Sequence, residues 1–222
     1  MISATLQFAA KLLQCRISRA GATNLYNRRS LNRATCQMAL TATTYKTEIS
    51  ISDMDRNYYA THVLTLAKHP SETDERLMVR LLMFALRADE RLQFGKGISS
   101  DDEPDLWRKD RTGEILEWIE LGQPDEQRVR KASGRARSVV VVNYSGRGAD
   151  IWWEKNRVAL ERVRNLTVID IPAAAVSELA AMAGRNMRLQ CLIQDGQTQM
   201  LGEGAAVTID PVVRMASTQT AS

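Results

Sequence analysis

The sequence is poor in the side chains that form disulfides and bind transition metals. Its 222 residues include three cysteines, Cys15, Cys36 and Cys191, and two histidines, His62 and His69. The cysteines are odd in number and far apart, which excludes a disulfide framework or a zinc site of paired cysteines. Isolated thiols are typical of the reducing cytoplasm, so we expect a cytoplasmic protein. Any metal chemistry would have to depend on oxygen ligands.

Long apolar runs are also missing. A helix that crosses a bilayer needs about 18 or more uninterrupted apolar residues. The richest apolar segment, Leu77 to Leu86, is interrupted by Arg80. The sequence therefore predicts no membrane-spanning helix. A hydrophobic content of 44% and a charged content of 25% are instead typical of one globular domain with tails.

The net charge of +4 is distributed unevenly along the chain. Residues 1–37 contain six basic residues and no acidic residue, so 24 basic and 26 acidic residues remain from Met38 onward. The body of the protein thus has a net charge of −2. The high isoelectric point is therefore not evidence that the whole folded surface binds nucleic acid.

The first 37 residues have a different composition from the rest of the chain. Leu6, Ala10, Leu13 and Ile17 would share one helical face, as in an organellar presequence. We favour another interpretation, in which Met38 is the biological start and residues 1–37 are a disordered basic extension, because an ordered pattern begins directly after Met38. A basic arm that binds nucleic acid is the third alternative.

The body reads as a mixture of strands and helices. Residues 41–52 and 58–67 alternate like two strands of a hairpin, and strands and helices alternate between residues 114 and 183. Short strands follow to residue 209, and residues 214–222 are predicted to be a disordered tail. This order predicts an α/β domain with a mixed β-sheet flanked by helices.

A long helix is predicted after Pro70, up to about Arg91. Ser71 and Asp74 have the spacing of a capping box at its start. On the face that contains Met78, Val79, Leu82 and Leu86, the first residue is Glu75. A carboxylate turned toward a core must be paired, hydrogen-bonded or bound to a metal.

Two further acids are predicted beside apolar neighbours. Asp105 follows Pro104 at the start of a strand, and Glu120 lies near the end of the strand 114–122, both faces of which are largely apolar. Together with Glu75 they could hold Mg²⁺ or Mn²⁺, which would polarise a phosphodiester and activate water. The helix that follows carries Arg128, Lys131 and Arg135 with the spacing of one face, and these are candidate nucleic-acid phosphate contacts.

Four motifs in these regions closely resemble the YaeQ family of bacterial proteins, and the resemblance covers about residues 38–213. They are Pro70-Ser71-Glu72-Thr73-Asp74-Glu75-Arg76, Asp101-Asp102-Glu103-Pro104-Asp105-Leu106-Trp107, Trp118-Ile119-Glu120-Leu121-Gly122-Gln123-Pro124-Asp125-Glu126 and Ala149-Asp150-Ile151-Trp152-Trp153-Glu154. The resemblance implies a variant of the PD-(D/E)xK nuclease fold, the restriction-endonuclease-like fold. It implies an active site with Glu75 as the helix acid, Asp105 as the proline-aspartate acid and Glu120 as the second strand acid.

The sequence departs from that superfamily pattern at one catalytic position. Two residues after Glu120, where a lysine is expected, stands Gly122. Gln123 could position water in its place, or Lys131 could serve as a migrated lysine. We therefore carry two hypotheses: a Mg²⁺- or Mn²⁺-dependent nuclease with Asp105 and Glu120 as metal ligands, and a catalytically silent relative that binds nucleic acid or a protein. A protein-interaction domain without nucleic acid is a third.

Overall fold

The structure, a computed structural model, describes residues 42–96, 98, 100 and 102–219. The predictions for residues 1–37 lie outside these ranges. The described residues form strands and helices in this order: β1 Thr43–Asp53, β2 Tyr58–Lys68, α1 Asp74–Leu86, β3 Leu92–Phe94, β4 Leu106–Lys109, β5 Ile115–Leu121, α2 Glu126–Ser133, β6 Ala136–Asn143, α3 Arg147–Leu160, β7 Leu166–Asp170, α4 Ala173–Ala181, β8 Asn186–Gln194, β9 Gln197–Gly202, β10 Ala205–Ile209 and β11 Val212–Met215. None of the helices in that part of the chain is long and apolar enough to cross a membrane.

A five-stranded sheet has the order β10-β9-β8-β1-β2. β1 pairs antiparallel with β2 and parallel with β8, where Lys46 is opposite Asn186. The alternation predicted for β1 is confirmed, since Thr47, Ile49 and Ile51 are buried and the residues between them are more exposed. The sheet therefore joins the hairpin at the beginning of the described chain to the strands β8–β10.

A six-stranded sheet has the order β11-β7-β6-β5-β4-β3 and positions two of the three predicted acids, Glu120 in β5 and Asp105 directly before β4. β5, β6 and β7 are parallel, whereas β4 pairs antiparallel with β5. The run Val139–Val142 in β6 is buried on both faces, as expected for a central strand. The expected mixed α/β class is confirmed, but the strands form two mixed sheets rather than one.

The apolar core lies on both sides of the six-stranded sheet. One cluster joins the five-stranded sheet, α1, α4 and the side chains of β5 and β6 such as Ile119 and Val140. The other joins α2 and α3 to the opposite face, through Trp118, Val139 and Val141. Each helix pair thus covers one face of this sheet, which fixes α1 and α2 on opposite sides of β5.

Both ends of α1 differ from the prediction. The cap is Thr73, whose hydroxyl accepts from the Arg76 N–H at 3.2 Å, while Ser71 contacts His69 instead. The helix ends at Leu86 rather than near Arg91, because Asp89 forms a turn by accepting from the Arg91 N–H at 2.8 Å. The prediction of a Ser71 capping box is therefore wrong.

The boundary predicted at residue 213 is also wrong. β11 extends to Met215 and pairs with β7, and Arg214 forms ion pairs with Asp150 and Asp170. The short strand had no alternating apolar pattern to predict it. At least Arg214 and Met215 therefore belong to the folded domain.

Candidate functional site

Two of the predicted acids lie next to each other at one end of the β4–β5 pair. Leu106 is opposite Ile119, and the Asp105 N–H donates to the Ile119 carbonyl at 3.1 Å. This antiparallel register places Asp105 beside the end of β5, where Glu120 lies. The pairing of β4 with β5 therefore brings together two acids that are far apart in the sequence.

Asp105 is almost fully buried, and its charge is balanced by Arg76 of α1. The Arg76 Nη2 donates to both carboxylate oxygens, at 2.6 and 2.8 Å, and the Leu121 N–H donates to Oδ2 at 2.8 Å. Arg76 Nη1 also donates to the Leu121 carbonyl at 2.9 Å. These contacts fasten α1 to the end of β5 through a buried, charge-assisted network.

Glu120 is also buried and has its own arginine. Its Oε1 accepts from Arg128 Nε at 2.6 Å, and its Oε2 accepts from the Trp118 indole N–H at 3.0 Å. Burial raises the pKa of Glu120, and the hydrogen bond from Arg128 acts in the opposite direction. Both oxygens of this carboxylate therefore have protein partners.

Glu75 does not face the core, so that part of the interpretation is wrong. Its side chain is exposed, whereas Arg76 and Arg80 point inward. The buried acid at this end of the helix is Glu72, 3.3 Å from Arg80, and burial raises the pKa of Glu72. Within α1 the inward polar side chains are thus those of Arg76 and Arg80, at i, i+4 spacing, and Glu72 precedes the helix.

Gly122 follows β5 in a backbone conformation that explains why no lysine stands there. Its φ is +96°, a region that residues with a side chain rarely adopt, and its N–H donates to the Val142 carbonyl at 2.8 Å. Gln123 comes next and donates through Nε2 to the Ser145 hydroxyl at 2.7 Å. The chain therefore leaves the sheet by a left-handed turn at the position of the expected lysine.

The predicted phosphate contacts on α2 are directed toward the loop before β4. Lys131 Nζ lies 2.5 Å from Asp102 Oδ1, and Arg135 donates to the Asp102 carbonyl at 3.2 Å. Arg128 donates to the Glu103 carbonyl at 3.1 Å in addition to its pair with Glu120. α2 ends at Ser133, so Arg128 and Lys131 lie on the helix as predicted, whereas Arg135 lies beyond its end; all three contact the acidic loop. Their role in nucleic-acid binding stays a prediction.

An open cleft of about 490 Å³ lies at this end of the sheet. Its lining combines side chains of the candidate site with the segments after β5 and β6, including Arg76, Glu120, Gln123, Arg128, Tyr144 and Ser145. Buried Asp105 does not line the cleft, whereas its partner Arg76 does. Two arginines, one carboxylate and neutral hydrogen-bonding groups are thus presented to a ligand here.

The arrangement does not fit a Mg²⁺ or Mn²⁺ ion. Such ions require several free oxygen ligands, yet Asp105 and Glu120 each accept hydrogen bonds from an arginine. Among the residues that the structure describes, no group of three or more histidine, cysteine, aspartate or glutamate side chains could hold a metal. From the sequence we selected the acids but not their arginine partners, because Arg76 is 29 residues from Asp105 along the chain and Arg128 is 8 residues from Glu120.

Comparison with known proteins identifies the family. Residues 38–211 match the family model described as YaeQ protein. The chain is 48% identical over 160 residues to "Uncharacterized protein YaeQ" of Escherichia coli (strain K12), which covers 72% of this chain and 88% of that protein. It is 47% identical to the protein of the same description from Salmonella typhi, with the same coverage.

Two crystal structures have a similar fold. The YaeQ protein from Xanthomonas axonopodis pv. citri matches with a TM-score of 0.77 and 58% identity, over 79% of this chain and 99% of that one. The YaeQ protein from Pseudomonas syringae matches with a TM-score of 0.76 and 32% identity, over 80% and 98%. The resemblance seen in the four motifs is thereby confirmed, and the chain belongs to the YaeQ family.

Proposed function

We propose that the chain is a PD-(D/E)xK-like domain that binds nucleic acid in the cleft at the end of β5 and does not hydrolyse it. The assignment to this fold is supported by the adjacent acids Asp105 and Glu120 on antiparallel strands, followed by a helix and a parallel strand. The observation that carries the loss of hydrolysis is the pairing of both acids with arginines, Asp105 with Arg76 and Glu120 with Arg128.

The arginine pairs act against metal binding in two ways. They occupy carboxylate oxygens that an ion would need, and their positive charges repel a divalent cation from the same cleft. Gly122 removes the lysine that the superfamily places near the reacting water. A backbone turn with positive φ at this residue also disfavours any side chain there.

The same groups favour phosphate binding. Arg76 and Arg128 both line the cleft, and Glu120 is the one carboxylate in that lining, so two positive charges beside it attract a phosphate. Gln123 and Ser145 add neutral hydrogen-bonding groups. The expected ligand is a nucleic-acid backbone, bound by charge and with little dependence on base sequence.

A metal-dependent nuclease is the second candidate, favoured by one observation. Glu120 lines the open cleft and lies next to Asp105, as two metal-binding acids would. This activity would require Arg76 and Arg128 to leave the carboxylates when Mg²⁺ or Mn²⁺ binds. Exposed Glu75 would be the helix acid, and Gln123 or Lys131 would orient the water.

The two candidates can be separated with labelled oligonucleotides of DNA and RNA, single- and double-stranded. We would measure cleavage and anisotropy for the wild type, Glu120→Gln and the control Glu178→Gln, which replaces an exposed acid of α4. We expect binding at low salt without cleavage by any of the three proteins in Mg²⁺ or Mn²⁺. Cleavage that Glu120→Gln abolishes and Glu178→Gln retains would establish the nuclease instead, and an absence of binding would refute the proposal.

A further inference from the structure

A second cleft, of about 500 Å³, lies on the other side of α2 and is lined by four arginines. They are Arg130 of α2, Arg137 of β6, and Arg162 and Arg164 in the connection from α3 to β7. Ser133, Asn165 and Gln219 also line this cleft, and its lining includes no acidic residue. It shares no lining residue with the cleft at the end of β5. We call it the arginine cleft.

The arginines of this cleft are incompletely neutralised. Arg130 lies 2.5 Å from Glu126 and Arg137 lies 2.7 Å from Glu114, and both pairs are substantially exposed. Exposed pairs of this kind are weak, so a phosphate can replace the carboxylate at little cost. Arg162 and Arg164 are exposed and have no ion-pair partner within the described part of the chain.

The floor and rim of the arginine cleft are held in place by hydrogen bonds. Asn165 is buried, and its amide group donates to the carbonyls of Ser133 and Ala136 at 3.1 and 2.9 Å, while its oxygen accepts from the Ser133 hydroxyl at 2.7 Å. The backbone N–H groups of Thr218 and Gln219 donate to the Arg164 carbonyl at 3.0 and 3.2 Å. The backbone that carries the arginines is therefore organised before a ligand arrives.

A purely structural role does not account for all four arginines. The C-terminal ends of α2 and α3 both lie at this cleft, and each carries roughly half a negative charge that a nearby cation stabilises. This effect fades within one helical turn and can explain Arg130 and Arg162. Arg137 belongs to a strand and Arg164 precedes one, so neither belongs to a helix end.

We propose that the arginine cleft binds phosphate groups, either those of a nucleic-acid backbone or those of a free phosphorylated compound. Four guanidinium groups around one small space offer more planar donor pairs than one phosphate can use, so two neighbouring phosphates fit the site best. The four arginines come from three parts of the fold, namely α2, β6 and the connection from α3 to β7, and the lining of the cleft includes no acidic residue.

The experiment compares Arg162→Glu with Arg164→Glu, made together in the full chain, with a matched double variant. The control is Arg185→Glu with Arg188→Glu, which reverses two exposed arginines at the start of β8 in the other sheet. Binding of inorganic pyrophosphate would be measured by calorimetry, and binding of a labelled 20-nucleotide single-stranded DNA by anisotropy at several salt concentrations. Near-ultraviolet circular dichroism would verify that each variant is folded.

We expect the cleft variant to lose about tenfold or more in affinity, and the control to stay near the wild type. For the oligonucleotide, two lost phosphate contacts would also reduce the slope of log K against log salt by roughly 1.4. Loss for pyrophosphate alone identifies a free phosphorylated ligand, and loss for DNA identifies a nucleic-acid backbone.

The inference is refuted if neither probe binds, or if the cleft variant and the control bind equally. If both variants bind DNA equally and also bind pyrophosphate equally, the arginine cleft is refuted while the proposed function of the β5 cleft stands. Pyrophosphate binding that depends on Arg162 and Arg164, without DNA binding, would refute the proposed function and support the arginine cleft.

Discussion

The substitution Asp105→Asn tests whether the acid at the start of β4 serves as the partner of an arginine or as a ligand for a cation. In the structure the Asp105 side chain is fully buried and that of Arg76 is 13% exposed. Asparagine keeps the shape of the side chain and an acceptor for the Leu121 N–H. It removes the negative charge and one of the two oxygens that accept from Arg76 Nη2, so the buried guanidinium loses its counter-charge.

The size of the effect follows from burial. Removing one partner of a buried ion pair leaves an uncompensated charge and lowers the free energy of unfolding by about 3–5 kcal/mol. The control is Glu114→Gln, because Glu114 also accepts two hydrogen bonds from one arginine, both at 2.7 Å, but at an exposed site. That change should lower the free energy of unfolding much less than Asp105→Asn, because both partners of this pair are exposed to solvent.

The assay is urea unfolding followed by tryptophan fluorescence, with buried Trp118 as a reporter. Asp105→Asn should shift the midpoint with an unchanged slope. Adding Arg76→Gln should cost less than the sum of the two single changes, since the variants act on one pair. A cation site without its cation would behave in the opposite way, because loss of one carboxylate relieves repulsion. If the free energy of unfolding of Asp105→Asn equals or exceeds that of the wild type, the pairing argument is refuted.

Three further predictions concern the surroundings of the two clefts. Gly122→Ala should lower the free energy of unfolding by about 1–2 kcal/mol, because its φ is +96°. The control Gly134→Ala, at a φ of −75°, should not destabilise the protein. Equal denaturation midpoints for the two variants would contradict this prediction. Because burial raises the pKa of Glu72 above its ordinary 4.5, its contribution to stability should fall as pH rises through the range above 4.5. The difference in unfolding free energy between wild type and Glu72→Gln should decrease over that range, and a difference that grows with pH would refute the assignment. Asn165→Ala should lower the free energy of unfolding by about 1–3 kcal/mol, because it leaves buried groups unpaired. The control Asn156→Ala, at a half-buried residue, should lower it less. Equal losses in chemical denaturation would contradict the role of Asn165.

Much of the fold could be predicted because its elements have strong local patterns. The alternation in β1 and the continuous valine run in β6 indicate strands, and both are confirmed. β11 could not be predicted, since its four residues have no period of their own and depend on pairing with β7. The arrangement in two sheets depends on the pairing of β1 with β8, which no local pattern contains.

The site was harder to predict than the fold, because it depends on which face of α1 turns inward and on the contacts of long side chains. The apolar periodicity predicts that Glu75 lies on the inward face of α1. In the structure the helix is capped by Thr73, two residues after Ser71, and the inward polar side chains are Arg76 and Arg80. The proximity of Asp105 and Glu120 follows from strand pairing and was anticipated through the family resemblance. Pairing with Arg76 and Arg128 depends on three-dimensional packing, which residue spacing alone does not determine.

The parallel pairing of β1 with β8 has a consequence for synthesis of the protein in the cell. The two strands are separated by about 140 residues, so the β1–β2 hairpin leaves the ribosome on the order of ten seconds before its partner at ordinary translation speeds. During this time the edge of β1 and the side chains of Ile49 and Ile51 have no native cover. Completion of the five-stranded sheet must therefore be a late event. Until then the nascent hairpin exposes an unpaired strand edge and apolar side chains, which molecular chaperones would bind.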